Sequence, residues 1–333
     1  MRPVTYDVGA GETYRREIFA HCYRMTGSVH DAEDLVQETY LRAWRSRDGF
    51  RGQASVRTWL HRIATNTCLT AIEGRRRRPL PTGLGAPASD PVGALDPRPE
   101  VPWLEPVPDS LVGVGAATSA DARDTGTVVT DRASVRLAFV AALQFLTPQQ
   151  RAALLLREIL ALRASEIAQT LDTSEAAVNS LLQRARAELA RVQPSLDELA
   201  EPSSAASRAL LDRYAAAFES YDTNAMIEVF TADTVWEMPP FAGWYRGAEQ
   251  IVALIRTHCP AEAPGDMRLL PAAANGQPAF GLYMRGEDGV HREFQLHVLT
   301  LREDDAGGVA VAHASVFFAP GMFAAFGLPA ALP

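Results

Sequence analysis

The sequence predicts a multidomain chain: two all-α modules, the second a helix-turn-helix, separated by an acidic proline-rich segment and followed by an α+β module. Three observations carry this. Apolar residues recur at helical spacing through the first two modules. Prolines crowd the segment between them. In the last third, helical runs come first and β-prone runs follow. Charge marks the same divisions. The 333 residues sum to -8, distributed as roughly +5 over 12–78, roughly -6 over 79–131, roughly +3 over 132–193 and roughly -10 over 196–333.

Composition excludes several classes. No run of ~18 apolar residues is present, so no membrane span is expected. Met1 to Ala10 lacks the apolar run and cleavage site of a secretory signal, which points to the cytoplasm. Cys22, Cys68 and Cys259 are too few and too scattered for a disulfide framework or a zinc site. Neither metal nor cofactor is expected. Every basic side chain is Arg, whose planar fork suits phosphate and base recognition, although a GC-rich genome gives the same bias.

Residues 12–78 form the first module. Ser28 caps a helix through Asp31–Trp44, with Ala32, Leu35, Val36, Thr39 and Ala43 on one face and Asp31, Asp34, Gln37 and Glu38 on another. Ser55 caps the next helix, whose apolar side holds Trp59, Leu60, Ile63, Ala64, Thr67 and Ile72. Arg57, Arg62 and Asn66 lie elsewhere on it, and it ends in Arg75, Arg76, Arg77 and Arg78. An arginine run beside aromatic and polar side chains fits a phosphate backbone with unstacked bases; a solvated charge run beside a structural Trp fits the same residues.

These two segments, DAEDLVQETYLRAW and SVRTWLHRIATNTCLTAIEGRRRRP, resemble region 2 of the extracytoplasmic-function sigma factors of the sigma-70 family. The resemblance implies that Asp31, Asp34, Gln37 and Glu38 contact the clamp of core RNA polymerase. It implies further that Arg57, Trp59, Arg62 and Asn66 lie near the captured -10 strand, and that Arg75 to Arg78 meet phosphates. Trapping melted DNA needs a flipped-base pocket and a basic track.

Residues 132–193 form the second module. Val135, Phe139, Ala142, Leu143 and Leu146 keep helical spacing. Thr147, Pro148 and Gln150 are a capping-box start. A helix around Glu166, a turn at Leu171-Asp172-Thr173 and a helix from Ser174 to about Arg191 have helix-turn-helix spacing. Val178, Leu181, Leu182, Ala185 and Leu189 point inward; Ser174, Glu175, Ala176, Asn179, Gln183, Arg184 and Arg186 are the outward candidates. The module resembles sigma region 4, which implies contact with the -35 element and the polymerase flap. It departs from that pattern at Asp172, where the turn usually has glycine, and at Asn179 and Leu181, often basic in the family.

The linker, 79–131, reads as an irregular strap. Its prolines rule out regular helix or central strand, and its acidity suits a path lined by basic groups. Within it Val101–Asp109, VPWLEPVPD, is similar to a motif of sigma factors with a fused C-terminal domain and is expected to dock.

Residues 204–328 form the last module. Helices are expected over 207–220, Asp222–Phe230 and Ala248–His258. Strands are expected at Val235–Met238, Arg268–Ala274, Ala279–Arg285, Glu293–Leu301 and Val309–Phe318. The order, with WEMPPFAGWYRGAEQIVALI, resembles the SnoaL-like, nuclear-transport-factor-2-like cone, a fold that does not by itself fix function. Trp236, Met238, Trp244, Tyr245, Tyr283, His297 and Phe317 are the candidate pocket residues. His258, His297, His313, Glu237 and Asp266 are the groups from which a catalytic site would have to be built.

The three modules in this order resemble the mycobacterial sigma-G-like type. The expectation is therefore a sigma factor, not an enzyme, that binds core RNA polymerase and promoter DNA, without a membrane. Its C-terminal domain would modulate activity by docking within the chain. Two rivals remain at this stage: a SnoaL-like cyclase or hydrolase fused to a DNA-binding region, and a ligand-responsive helix-turn-helix regulator.

Overall fold

A computed structural model describes residues 8–50, 55–114, 133–192, 200, 204–303, 308–318 and 321–333. The expectations for linker residues 115–131 and for most of the second junction lie outside these. The chain divides into two compact units: residues 1–78 with 104–194, and residues 79–103 with 195–333.

The first unit is helical: α1 Val8–Thr26, α2 Val29–Ser46, α3 Val56–Ile72, α4 Asp109–Val112, α5 Leu137–Leu143, α6 Pro148–Glu158, α7 Ala164–Thr170 and α8 Glu175–Val192. Ser28 caps α2 by accepting from the Asp31 amide, and the buried face is Ala32, Leu35, Val36, Thr39 and Ala43, as the periodicity requires. Thr147 and Gln150 close a reciprocal capping box at the start of α6. The turn before α8 places Asp172 at φ 49°, the left-handed region that a short polar side chain tolerates. Two expectations are corrected. Helix α3 stops at Ile72, and Gly74 at φ 71° turns the chain out, so Arg75–Arg78 follow the helix without regular structure. The proline-rich segment contains a 3-10 turn, Pro81–Leu84, and the single helical turn α4, because Pro at a helix start loses no hydrogen bond.

Buried arginines join the two helical modules. Arg151 on α6 is 5% exposed. Its guanidinium donates to the carbonyls of Leu143 (2.9 Å) and Leu146 (3.3 Å), to Gln144 Oε1 (3.0 Å), and to the Met25 carbonyl at the end of α1. Arg24 on α1 donates in return to the Ser134 carbonyl (3.2 Å) and hydroxyl (2.7 Å). Burial pushes the Arg151 guanidinium down to about 10, which leaves it charged at neutral pH. Residues 104–112 brace the same unit. Leu104 packs so closely on Gly27 that a Cβ there would meet it at 2.7 Å. Glu105 accepts from the Val29 amide (2.7 Å) and the Ser28 hydroxyl (3.0 Å).

The second unit carries helices α9 Ala205–Glu219, α10 Thr223–Glu228 and α11 Ala248–His258. Its strands are β1 Phe230–Glu237, β2 Trp244–Arg246, β3 Met267–Ala274, β4 Gln277–Arg285, β5 His291–Glu303, β6 Val309–Phe317 and β7 Ala331–Leu332. The sheet order is β2-β1-β6-β5-β4-β3, with β7 on β5. All pairings are antiparallel except β1 with β6, which makes the sheet mixed. Strands β2 and β7 were not anticipated; at three and two residues they are too short to show a period. The apolar side of the sheet meets α9 and α11 around Tyr214, Phe218, Trp236, Ile251 and Leu282.

Replacing Arg151 removes the donors that satisfy buried carbonyls, each unpaired group costing about 1–3 kcal/mol. Arg151→Met is expected to lower the stability of the helical unit by about 2–4 kcal/mol, measured by urea unfolding followed by circular dichroism. An unchanged midpoint would show the clasp to be dispensable.

Candidate nucleic-acid interface and C-terminal cavity

On α2 the outward stripe is Asp34, Gln37, Leu41 and Trp44, spaced three and four apart so that all share one side. Leu41 and Trp44 are 51% and 50% exposed, an unusual state for large apolar side chains on a well-packed helix. The sequence reading stopped at the polar members. Extending the same period two more steps reaches Leu41 and Trp44. Among the polar members, Asp34 lies 3.7 Å from His30, and Glu38 pairs with Arg42 at 2.6 Å. Asp31 is set apart: it accepts from Arg78 (3.0 Å) and Arg75 (3.2 Å), and so holds the arginine run against the start of α2.

On α3, Arg62 and Asn66 are exposed one turn apart. Trp59 is half-buried against Phe50, ring centroids 4.9 Å apart. Arg57 does not point outward alone; its Nε donates to Glu17 Oε1 at 2.6 Å. Burial would raise the Glu17 carboxyl, but His61, whose Nε2 lies 3.6 Å away, and the hydrogen-bonded Arg57 outweigh it and hold it down to about 2. Of the arginine run, Arg76 is exposed, Arg77 lies over the Phe145 ring at 4.6 Å, and Arg78 also approaches Glu105 at 3.5 Å.

Helix α8 begins with Ser174, whose hydroxyl accepts from the Ala177 amide. Val178, Leu181, Leu182 and Ala185 are buried, and Leu189 is half-buried. Ser174, Glu175, Ala176, Asn179, Gln183, Arg184 and Arg186 are all exposed. The outward face therefore combines polar side chains and free amides at the positive helix end with arginines further along, which suits base edges and phosphates respectively. Arg186 is engaged with Glu158 at 2.6 Å.

In the second unit a cavity of about 140 Å³ opens between the sheet and α11. Trp236 and Met238 line it as expected, joined by Phe218, Phe241, Leu282 and Phe318. The other expected residues, Trp244, Tyr245, Tyr283, His297 and Phe317, are not among its lining. Strand alternation puts Leu282 and Phe318 inward where their neighbours Tyr283 and Phe317 were chosen, and a register shift between Leu282 and Tyr283 disturbs the count. Tyr283 instead reaches the Pro329 carbonyl (2.8 Å) and Phe323. Trp244 donates to the Ala86 carbonyl (2.9 Å). His297 lies behind the cavity wall, between Tyr214 and Gln295.

Residues 79–103 pack as a strap on this sheet. Main-chain bonds join Ser89 to Trp244, Ala242 to Asp96, and Arg98 to Pro240. Its anchor is Glu237, fully buried. One carboxylate oxygen accepts from the Thr82 amide (3.1 Å) and hydroxyl (2.9 Å), the other from His313 Nε2 (2.7 Å) and Ser315 (3.0 Å). Burial would raise this carboxyl, but the His313 charge and these donors outweigh it and leave it below its ordinary value. Glu237 and His313, two of the five groups considered for catalysis, thus meet at the strap and do not line the cavity; His258, a third, does line it, and its Nε2 is buried without a partner among the described residues.

Known proteins with the same pattern decide the family. Residues 12–78 match sigma-70 region 2, residues 136–189 match sigma-70 region 4, and residues 211–317 match the SnoaL-like domain. The chain is 58% identical over 322 residues to the ECF RNA polymerase sigma factor SigG of Mycobacterium tuberculosis, spanning 96% of this chain and 83% of that protein. The chain belongs to the ECF RNA polymerase sigma factors. It is also 30% identical to SigJ of the same species over 85% of this chain and 83% of that one. The crystal structure of SigJ shares its fold, with a TM-score of 0.61 at 24% identity, covering 97% of this chain and all of that one. Helices α1–α3 are thus region 2, α5–α8 include region 4, and the mixed sheet is the SnoaL-like domain. No described helix is long and apolar enough to cross a membrane.

Two outcomes follow. Glu237→Leu leaves His313, Ser315 and Thr82 without their acceptor, and hydrogen exchange at the strap amides of Ser89 and Arg98, which are bonded to the sheet unit, is expected to accelerate about tenfold, a change of roughly 1.4 kcal/mol in the opening equilibrium; an unchanged rate would show that Glu237 does not anchor the strap. For Glu17 the folded carboxyl is depressed, so its stabilisation is present above 4.5 and is lost as pH falls from there to about 2. Glu17→Gln should flatten that part of the stability profile of the helical unit. A profile identical to that of the parent chain would contradict it.

Proposed function

We propose that this sigma factor docks on the clamp of core RNA polymerase through Asp34, Gln37, Glu38, Leu41 and Trp44 on α2. On the same reading α3 captures the melted -10 strand with Trp59, Arg62 and Asn66, with Arg57 and Arg75 to Arg78 as the basic track. The outward face of α8, Ser174, Glu175, Ala176, Asn179, Gln183, Arg184 and Arg186, reads the -35 element while region 4 meets the flap. The protein works in the cytoplasm, where polymerase does, and forms no covalent bond itself; the SnoaL-like domain modulates activity through the strap.

The observation that carries this is the α2 stripe. Two half-exposed large apolar side chains continue a polar row on a helix whose opposite face is buried, as a protein-docking face requires. Asp31 contributes indirectly on this reading, by holding Arg75 and Arg78 in place.

The compact helical unit is then the resting form. A unit of its size has a radius of gyration of about 16 Å, whereas a -35 and a -10 element roughly 25 base pairs apart span about 85 Å of duplex. Regions 2 and 4 cannot engage both while Arg151 and Arg24 hold them together.

In vitro transcription with purified core polymerase tests the assignments. Leu41→Asp with Trp44→Asp is expected to weaken core binding at least tenfold. Arg62→Ala with Asn66→Ala should leave core binding intact and lower open-complex formation about tenfold, the scale of one lost base contact. Core binding that ignores the α2 pair, or promoter melting that ignores the α3 pair, would overturn the corresponding assignment.

A further inference from the structure

The last arginine of the run after α3 is held by a carboxylate from the far end of the strap. Arg78 is the residue before the strap and Glu105 the second residue after it. The two edges of the Arg78 guanidinium face different acids. Nη2 donates to Asp31 (3.0 Å), and Nη1 lies 3.5 Å from Glu105 Oε1. The Ser28 hydroxyl donates to the same Glu105 oxygen (3.0 Å), and the Val29 amide donates to Oε2 (2.7 Å). An arginine with a hydroxyl and a main-chain amide around one anion is also what a phosphate group takes. The Arg78 and Glu105 side chains are 21% and 34% exposed, so an incoming anion can reach the pair.

The Glu105 main chain is held by other means. Its amide donates to the Gly27 carbonyl (3.0 Å), its carbonyl accepts from the Tyr23 hydroxyl (2.7 Å), and its neighbours Leu104 and Val107 are buried. The carboxylate can therefore rotate away while the segment stays seated. Two anions at one guanidinium edge repel, so a phosphate at Nη1 and the Glu105 carboxylate exclude each other.

We propose that Glu105 withholds Arg78 from DNA in the free chain, and that a backbone phosphate engages Arg78 by turning the Glu105 carboxylate out. This rests on the reading of Arg75 to Arg78 as a basic track and adds what governs its availability. By linkage, whatever draws residues 104–108 off region 2 strengthens the grip of Arg78 on DNA, and DNA bound there weakens the hold of that segment by the same factor.

The test uses the full-length chain and a fluorescently labelled duplex of about 20 base pairs, with affinity measured by anisotropy over a range of salt. Arg78→Ala is expected to reduce the slope of log affinity against log salt by about one, the signature of one lost phosphate contact. Glu105→Gln keeps an oxygen for Ser28 and Val29 and should bind about three- to tenfold more tightly than the parent chain. Glu33→Gln, at an exposed position of α2, removes the same charge and should bind less tightly than Glu105→Gln. In the Arg78→Ala background the two glutamine variants should bind alike. Unchanged hydrogen exchange at the amide of residue 105 shows the segment still seated. An unaltered salt slope in Arg78→Ala would overturn the basic-track reading at Arg78, and this proposal with it. A reduced slope together with a Glu105→Gln gain no larger than that of Glu33→Gln, or equally large with and without Arg78, would overturn the competition alone.

Discussion

A single buried guanidinium organises the helical half of this protein. Arg151 is too costly to bury unless every N–H finds an acceptor, and its acceptors come from the end of α1 and from both ends of the α5–α6 turn. Satisfying it therefore fixes where region 4 lies on region 2. Arg24 makes the reciprocal contact from α1. On the proposed function, the geometry that stabilises the unit is also the geometry that keeps α3 and α8 too close for a bipartite promoter.

A buried carboxylate plays the corresponding part in the other unit. Glu237 gathers donors from β6 and from the strap, so residues 79–103 become an added layer of the SnoaL-like domain. The chain passes between the units at 78/79 and again at 103/104, within the Trp103-Leu104 pair. Trp103 closes on the Arg98 carbonyl in one unit while Leu104 is buried in the other. The continuation of the strap braces region 2 at Ser28 and Val29.

Much of this was legible in the residues because helix signals are local. The Ser28 and Thr147 caps, the buried stripe of α2, and the outward face of α8 all follow from side chains within a turn of one another. Arg151 and Arg24 were not legible, since they count as positive charge in the sequence and become structural only when carbonyls distant along the chain surround them. The same holds for Arg57, taken by Glu17, and for Asp31, taken by Arg75 and Arg78. In the C-terminal domain the strands were found within a few residues, but of the expected pocket residues Trp236 and Met238 alone line the cavity between the sheet and α11. Pocket membership depends on which side each strand turns inward, and a register shift between Leu282 and Tyr283 resets that choice beyond what alternation can show. Leu95, a strap residue on the cavity wall, was out of reach altogether, because nothing in a proline-rich stretch says which surface it will cover.

The central claim is that regions 2 and 4 are clasped in the free protein and part when it works. Distance measurement by electron–electron resonance between spin labels at Thr70→Cys on α3 and Ala190→Cys on α8, both exposed positions, addresses it most directly. The free chain should give one distance below about 45 Å, set by the size of the compact unit, and the complex with core polymerase and promoter DNA a distance beyond about 60 Å, set by the spacing of the promoter elements. The same short distance in both states, or the long one already in the free chain, would contradict it.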